Sequence, residues 1–400
     1  MSARVATSPA TLWLSCHVHY ACAHSGACCR SGWPLPVDAR VVPLIDAAVS
    51  QGRVRTIDGN PRWLDESTEA PRGTPGLFRL AAQACVFHVP PGVASASHGD
   101  DSRHCGVHAA LGHEALPASC QHFPRVCLID GRGVRVTLSH YCPTAAAMLF
   151  DHDGPVEIVR GPDAVPGISA PEGLDARDEL PPRLTRGLLM DLDALSAWER
   201  LLVQTLAGPG APDGTPADAL TRLRGYAEQL SLWTPGSDTS LTDAIGALRA
   251  GDAAPDGFSG TAPRADRGFD GGPYRLERQR RAMRLTAAAC RPPWTWPAVP
   301  ADLDDVDREF VALQWPTFGP LVRRYLAAKA FGAWMTYQAD ATRGLVRWLQ
   351  LAHDVLRVEA GRACGAARRP LDRDLLRAAV RQSDLLLLHY ADSLAVARAL

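Results

Sequence analysis

The sequence predicts a mostly α protein: a loop-rich, metal-stabilised cysteine-cluster domain with a small β-hairpin, followed by an α-helical domain. Three observations carry that expectation. Nine of the eleven cysteines lie from Cys16 to Cys142, and eleven of the thirteen histidines lie before residue 153. The same stretch has little long-range apolar periodicity, so a conventional core has little to be built from. Beyond about residue 155 the apolar spacing turns helical and stays so to the end of the 400 residues. The division falls into a cysteine-cluster unit over 1–155 and a helical unit over 156–400, each within the usual size of a domain.

Taken in order, "DARVVPLIDAAVSQG" (38–52) reads as an amphipathic helix opened by Asp38 and closed by Gly52. "CGVHAALG" (105–112) reads as a brief helix ending at Gly112. "VCLIDGRGVRVTLS" (126–139) reads as a hairpin, two alternating runs joined by Asp-Gly-Arg-Gly. "PTAAAMLF" (143–150) starts a helix with Pro143 in its first turn. In "DLDALSAWERLLVQTLA" (191–207), Leu195, Trp198, Leu202 and Leu206 fall at helical spacing behind an Asp. Helical patterns follow at 217–232, 240–250, 276–290, 302–314, 318–337, 341–360 and 371–399. The Gly-, Asp- and Pro-rich stretch 251–275 reads as a long surface loop. No fixed-period repeat is evident.

Composition excludes several classes. Formal charge is −1, so no global basic field attracts nucleic acid or an anionic membrane surface. No run reaches the roughly 18 apolar residues that a membrane span needs. The opening residues lack the apolar core of a secretory signal. A cytoplasmic location follows as the expectation, and there thiols stay reduced and stable disulfides lose their appeal. Lys329 is the only lysine, so a Schiff-base or catalytic lysine has a single candidate.

Soft thiolates gathered from loops remote in sequence suit Zn²⁺ or an iron–sulfur cluster. The spacing is not that of paired C-x-x-C knuckles, nor the C-x-x-x-C-x-x-C of radical S-adenosylmethionine enzymes. His108, three residues after Cys105, is placed either to ligate the metal or to hydrogen-bond a thiolate, the second being the favoured reading. Cys127 lies inside a predicted strand, and Cys290 and Cys364 inside helical patterns. Arg125 caps local carbonyls or neutralises a thiolate cluster. Trp315, Tyr325, Phe331 and Trp334 recur near helical spacing and read as core.

"CHVHYACAHSGACCRSGW" (16–33) is followed by C-x-x-H-x-x-x-G-x-x-x-L-P-x-x-C-x-x-F-P-R and then L-S-x-x-C-P. Over residues 16–145 these motifs resemble the cysteine-cluster proteins described as zinc- or iron-chelating domains. In length and layout the chain resembles the flagellin lysine-N-methylase family among them. "LVRRYLAAKAFG" (321–332) and "RQSDLLLLHY" (381–390) are more loosely similar to that family's helical tail. The resemblance implies an S-adenosylmethionine-dependent protein-lysine N-methyltransferase with an iron–sulfur cluster (zinc being the alternative) and a lysine-bearing, flagellin-like protein substrate. Carried over motif by motif, it implies Cys16, Cys22, Cys28, Cys29, Cys85, Cys105, Cys120 and Cys142 as metal ligands. Eight thiolates exceed one tetrahedral zinc or one four-cysteine cluster. Either two centres exist, or some of the eight lie outside the coordination sphere.

The chain departs from the family where "CVFHVP" stands for the usual "CPFL", and by the insertion "PPGVASASHGDD" (90–101). No strand followed by a glycine-rich cofactor turn marks a Rossmann-type methyltransferase; "IDGRGV" (129–134) reads as part of the hairpin. Two other readings stand beside the enzyme: a non-catalytic metal-binding or redox-sensing protein, and a structural zinc domain that presents the helical half to a partner.

Overall fold

The computed structural model describes residues 10–66, 73–89, 105–164, 173–250, 273–291 and 294–400. Helix makes up 50% of the chain and strand 13%, so the protein is mostly α, with small sheets. The insertion 90–101 lies outside the described residues, as does the expected loop 251–275 up to residue 272.

The hairpin forms where the alternation places it. Strands Arg125–Asp130 and Gly133–Leu138 pair antiparallel, from Arg125 opposite Leu138 to Asp130 opposite Gly133. The Asp130 carboxylate accepts the Arg132 amide and guanidinium at the turn. The hairpin is the centre of a larger sheet than the sequence suggests. Thr11–Leu14 runs parallel to Gly133–Leu138, Ile158–Arg160 pairs antiparallel with Thr11–Leu14, and Gly173–Asp175 runs parallel to Arg125–Asp130. These added strands are three or four residues long, too short to show a period of two.

The helical half follows its pattern with three breaks. Leu192–Ala207 is capped by Asp191, whose side chain accepts the Ala194 amide. Pro216–Leu230 opens with a reciprocal Thr215–Asp218 capping box, which satisfies amides that the first turn leaves unpaired. The helix expected over 318–337 divides into Gly319–Ala330 and Met335–Gln338. Gly332 between them has φ +62°, a conformation that ends helices. The pattern over 302–314 is Leu303–Val306 continued by one π-helical turn, Asp307–Val311. That over 371–399 is Arg373–Asp384, a second π-helical turn Leu385–Tyr390, and Ser393–Ala399. The central helix runs past its expected end, from Arg343 to Ala367, and buries Leu345, Leu349, Val355 and Leu356 completely.

The main core joins these helices and also takes in Leu14, Cys16, Leu149, Phe150 and Val156 from the first 156 residues. A smaller core of Val37, Ile45, Trp63, Phe78, Phe87 and Val107 includes Cys29 and Cys85. A third, on one face of the sheet, holds Trp13, Cys127, Val136, Leu138 and Cys142. Among the described residues, no helix is long and apolar enough to cross a membrane.

Candidate functional site

Five of the eight cysteines implied by the resemblance line one cavity of about 470 Å³: Cys28, Cys29, Cys85, Cys105 and Cys120. Each arrives on a different kind of local structure, except the adjacent pair. Cys28 and Cys29 open the single 3₁₀ turn Cys28–Arg30, started by Cys29 N–H to the Gly26 carbonyl (3.1 Å) and tied down by Ser31 Oγ to the Cys28 carbonyl (2.8 Å). Gly32 follows at φ +73°. An added Cβ there would meet Gln83 Oε1 at 3.0 Å and the Trp294 ring at 3.5 Å.

Cys85 ends the two-residue strand Ala84–Cys85, which pairs with Leu80–Ala81. The turn between them carries positive φ at Ala82 (48°) and Gln83 (64°). Two-residue hairpin turns favour that conformation, but glycine and asparagine usually supply it. Cys105 precedes the helix Gly106–Leu111 and is held against the Cys85 segment by Gly106 N–H to the Phe87 carbonyl (2.8 Å). Cys120 lies on the short helix Ala118–His122. That helix is anchored by the Ala118 amide donating to Asp38 Oδ2 (2.6 Å) and by Ser119 Oγ donating to the Pro36 carbonyl (3.0 Å).

The thiols interact directly. Cys29 stands hydrogen-bonded between Cys105 and Cys28, and this sharing with burial raises its thiol well above the ordinary value. The same hydrogen bond from Cys29 lowers Cys28 and lowers Cys105, in both cases against the desolvation that burial imposes. Burial raises Cys85 and Cys120, and the neighbouring thiols add to it. The cluster thus contains two sulfurs disposed to lose a proton, Cys28 and Cys105, and three disposed to keep it. Low-pKa thiols are the reactive and metal-binding ones. Among the described residues, no three His, Cys, Asp or Glu side chains already stand in the arrangement of a bound ion.

The other three cysteines lie elsewhere. Cys142 is buried at the start of helix Pro143–Asp151, with Tyr20 Oη 3.6 Å from its sulfur. Cys22 is exposed; its sulfur accepts the His24 amide at 3.3 Å. The Arg125 guanidinium sits 5.1 Å over the Tyr20 ring and so serves this side group. Cys16 belongs to the main core, where burial pushes its thiol up to about 12 against the partial help of Arg324. Cys127 is buried in its strand, as expected. The His108 ring packs against His24 (4.5 Å) and His113 (5.9 Å).

The rest of the cavity wall includes Trp33, Leu116, Phe123 and His389 from the quoted motifs, and Arg291 and Trp294 from outside them. Trp33 stacks on His389 at 4.2 Å, and Trp294 stacks on Tyr390 at 4.6 Å. His389 and Tyr390 end the π-helical turn, a kind of helix irregularity frequent at functional sites. Arg291 donates to the His389 carbonyl at 2.8 Å. Burial holds the His389 imidazole neutral, at a pKa of about 4, and its Nε2 lies 2.8 Å from Ser139 Oγ.

Behind that contact lies a buried charge network. Asp384 Oδ2 accepts from Lys329 Nζ (2.7 Å), the His140 amide (2.6 Å) and His140 Nδ1 (2.9 Å), while Oδ1 accepts from Tyr325 Oη (2.9 Å). His140 Nε2 meets His17 Nε2 at 3.1 Å. With Nδ1 of His140 donating to Asp384, its Nε2 accepts, so His17 donates through Nε2 and keeps a bare acceptor at Nδ1. That atom is buried without a partner. The chain's one lysine is thus an interior counter-ion.

No family model, curated protein or solved structure matches this chain, so the likeness to the lysine-N-methylase family rests on the cysteine motifs themselves.

Proposed function

We propose that the thiol cavity binds a soft metal centre, an iron–sulfur cluster or zinc, with its ligands drawn from Cys28, Cys29, Cys85, Cys105 and Cys120. The observation that carries this reading is the convergence of five thiols, from four segments spread between residues 28 and 120, on one cavity. Their chemistry suits such a centre: thiolates are the preferred donors for both groups, and Cys28 and Cys105 are already lowered toward that form. Side-chain rotation about Cα–Cβ would turn sulfurs that now share protons toward a common centre. Cys16, in the helical core, is left out of the ligand set, and Cys22 and Cys142 stand beside it with Tyr20.

The activity proposed with this centre, on the resemblance alone, is methyl transfer from S-adenosylmethionine to a lysine of a flagellin-like protein. The alternative is a redox-sensing thiol protein without catalysis, and one observation favours it: the sulfurs of Cys28, Cys29 and Cys105 already contact one another, as thiols poised to oxidise do.

Anaerobic purification followed by iron, zinc and acid-labile sulfide analysis tests the centre. Iron with sulfide and absorption near ~400 nm identifies a cluster, and stoichiometric zinc in a colourless protein identifies the other metal. Cys29→Ser and Cys105→Ser should each empty the site. A protein free of both metals after anaerobic isolation refutes the proposal. Labelled methyl transfer into a candidate lysine protein, assayed on metal-loaded protein, then separates the enzyme from the sensor.

A further inference from the structure

Four side chains of metal-ligating type gather outside the thiol cavity, on two segments remote in sequence. Cys22 and His24 come from the loop before the turn Cys28–Arg30, while His108 lies on the helix Gly106–Leu111 and His113 on the turn His113–Ala115. The Cys22 sulfur is 4.0 Å from His24 Nδ1. From centre to centre, the His24 ring is 4.5 Å from that of His108, and the His108 ring is 5.9 Å from that of His113. Cys22 and His113 are exposed, and His24 and His108 are half-buried.

The local backbone builds each pair. His24 has φ +53°, a left-handed conformation that is uncommon outside glycine but that histidine enters more readily than most residues. Its amide donates to the Cys22 sulfur at 3.3 Å, which holds the two residues together. On the other segment the Val107 and His108 amides hydrogen-bond the Cys105 sulfur and fix the first turn of the helix. Gly112, at φ +84°, ends that helix with its amide on the His108 carbonyl at 3.0 Å. The reversal brings His113 back beside His108. Four residues separate these two histidines, within the H-x₃₋₅-H spacing of zinc sites. Arg40 anchors the turn by donating to the Glu114 carbonyl at 2.8 Å and to the Leu116 carbonyl at 2.9 Å.

We propose that Cys22, His24, His108 and His113 bind one zinc ion. A tetrahedral zinc with bonds of about 2.3 Å to sulfur and about 2.1 Å to nitrogen holds those two atoms roughly 3.6 Å apart. The 4.0 Å between Cys22 and His24 is already close to that. The rings are tilted by 59° and 65°, so their in-plane lone pairs can converge on one ion, as those of rings stacked face to face cannot. The four do not yet surround a common point; side-chain rotation at the exposed Cys22 and His113 closes the set, and Cys22 gives up its proton to solvent. A closed set of four ligands marks a structural site. The ion clasps the loop of Cys22 and His24 to the turn of His108 and His113. None of its ligands lines the thiol cavity, so the inference does not rest on a metal being bound there.

Zinc counting on the full chain tests it. The protein is purified anaerobically, equilibrated with zinc, freed of unbound ion, and analysed for zinc, iron and acid-labile sulfide. The parent should hold one zinc per chain more than His113→Ala, Cys22→Ser or His24→Asn, the last chosen because asparagine also tolerates the left-handed backbone. Iron, sulfide and circular dichroism should be the same in all four. Cys29→Ser should keep this zinc, seen as the loss of one further zinc when His113→Ala is added to it. In hydrogen exchange, zinc should protect the amides of 22–27 in the parent and leave them unprotected in His113→Ala. The proposal fails if the parent and the three variants hold equal zinc, which marks any excess as adventitious. It fails equally if the zinc lost in them is already missing from Cys29→Ser, which assigns that ion to the thiol cavity.

Discussion

The thiol region and the helical region are held together by different means. The helical region buries long side chains along a 25-residue helix and packs them into one continuous core. The thiol region has strands of two or three residues, helices of five, six and nine, and a small core to which Cys29 and Cys85 themselves belong. Elements that short bury too little apolar surface to offset the entropy of ordering them. The difference is one of scale: the smaller core is built of Val37, Ile45, Trp63, Phe78 and Phe87, with two sulfurs, Cys29 and Cys85, packed among them. The two regions meet at the π-helical turn after Asp384, which lends His389 to the cavity while Asp384 anchors the buried charges behind it.

The sharpest way to break this comparison is Asp384→Ala. It leaves the Lys329 ammonium buried without its carboxylate, at an expected cost of about 3–5 kcal/mol, read as a fall in the urea midpoint. A loss under about 1 kcal/mol would show that Lys329 reaches water and that the junction is not a buried anchor. Within the helical region, Leu349→Ala should cost about 2–5 kcal/mol, and a chelator should not change that figure. In hydrogen exchange, by contrast, a chelator should deprotect the amides of 76–88 and 105–122 while those of 345–360 stay protected. Equal deprotection of both regions would erase the distinction.

Acid should probe the junction next. Burial opposes the charge of Asp384, yet Lys329 and His140 hold its carboxyl well below the ordinary carboxylate range. The stability from that depression is complete above the unfolded value of about 3.9 and is lost as pH falls through the lower folded value. Burial also lowers His17 and His140, with Lys329 adding to the effect. The unfolded chain therefore takes up protons below about pH 6.5 that the fold refuses. From pH 7 to pH 4 the histidines act alone and the urea midpoint should fall steadily; the Asp384 effect, of the same sign, adds to the fall below that range. A flat profile over that range would contradict the neutral histidines.

The smallest expected effect is a gain. Gln83 sits at φ +64°, so Gln83→Gly should relieve backbone strain and stabilise the thiol region by about 0.4–1 kcal/mol. A loss of stability would mean that the Gln83 side chain, which lies near Gly32, matters more than its backbone.

Much of the helical region could be read directly, because a period of 3.6 is a local property of neighbouring residues. Leu195, Trp198, Leu202 and Leu206 announce their helix before any contact is known. The breaks at Gly332 and after Asp384 could not be read so well, since apolar spacing continues across them. In the candidate site, the concentration of cysteines was legible and their grouping was not. Cys28, Cys29, Cys85, Cys105 and Cys120 share a cavity while Cys16 points into the helical core, and no spacing rule separates them. Trp33 and His389 lie inside quoted motifs (16–33 and 381–390) and Arg291 in none, but no spacing shows that the three meet at one site, because they do so only after distant segments dock.

By itself, then, the sequence determined that this is a mostly α protein with soft donors crowded into its first 142 residues, because composition and periodicity are written along the chain. Only the tertiary structure decided which sulfurs meet and that the lone lysine is an interior counter-ion. Those facts are distances between residues up to hundreds of positions apart, and packing rather than local propensity sets them.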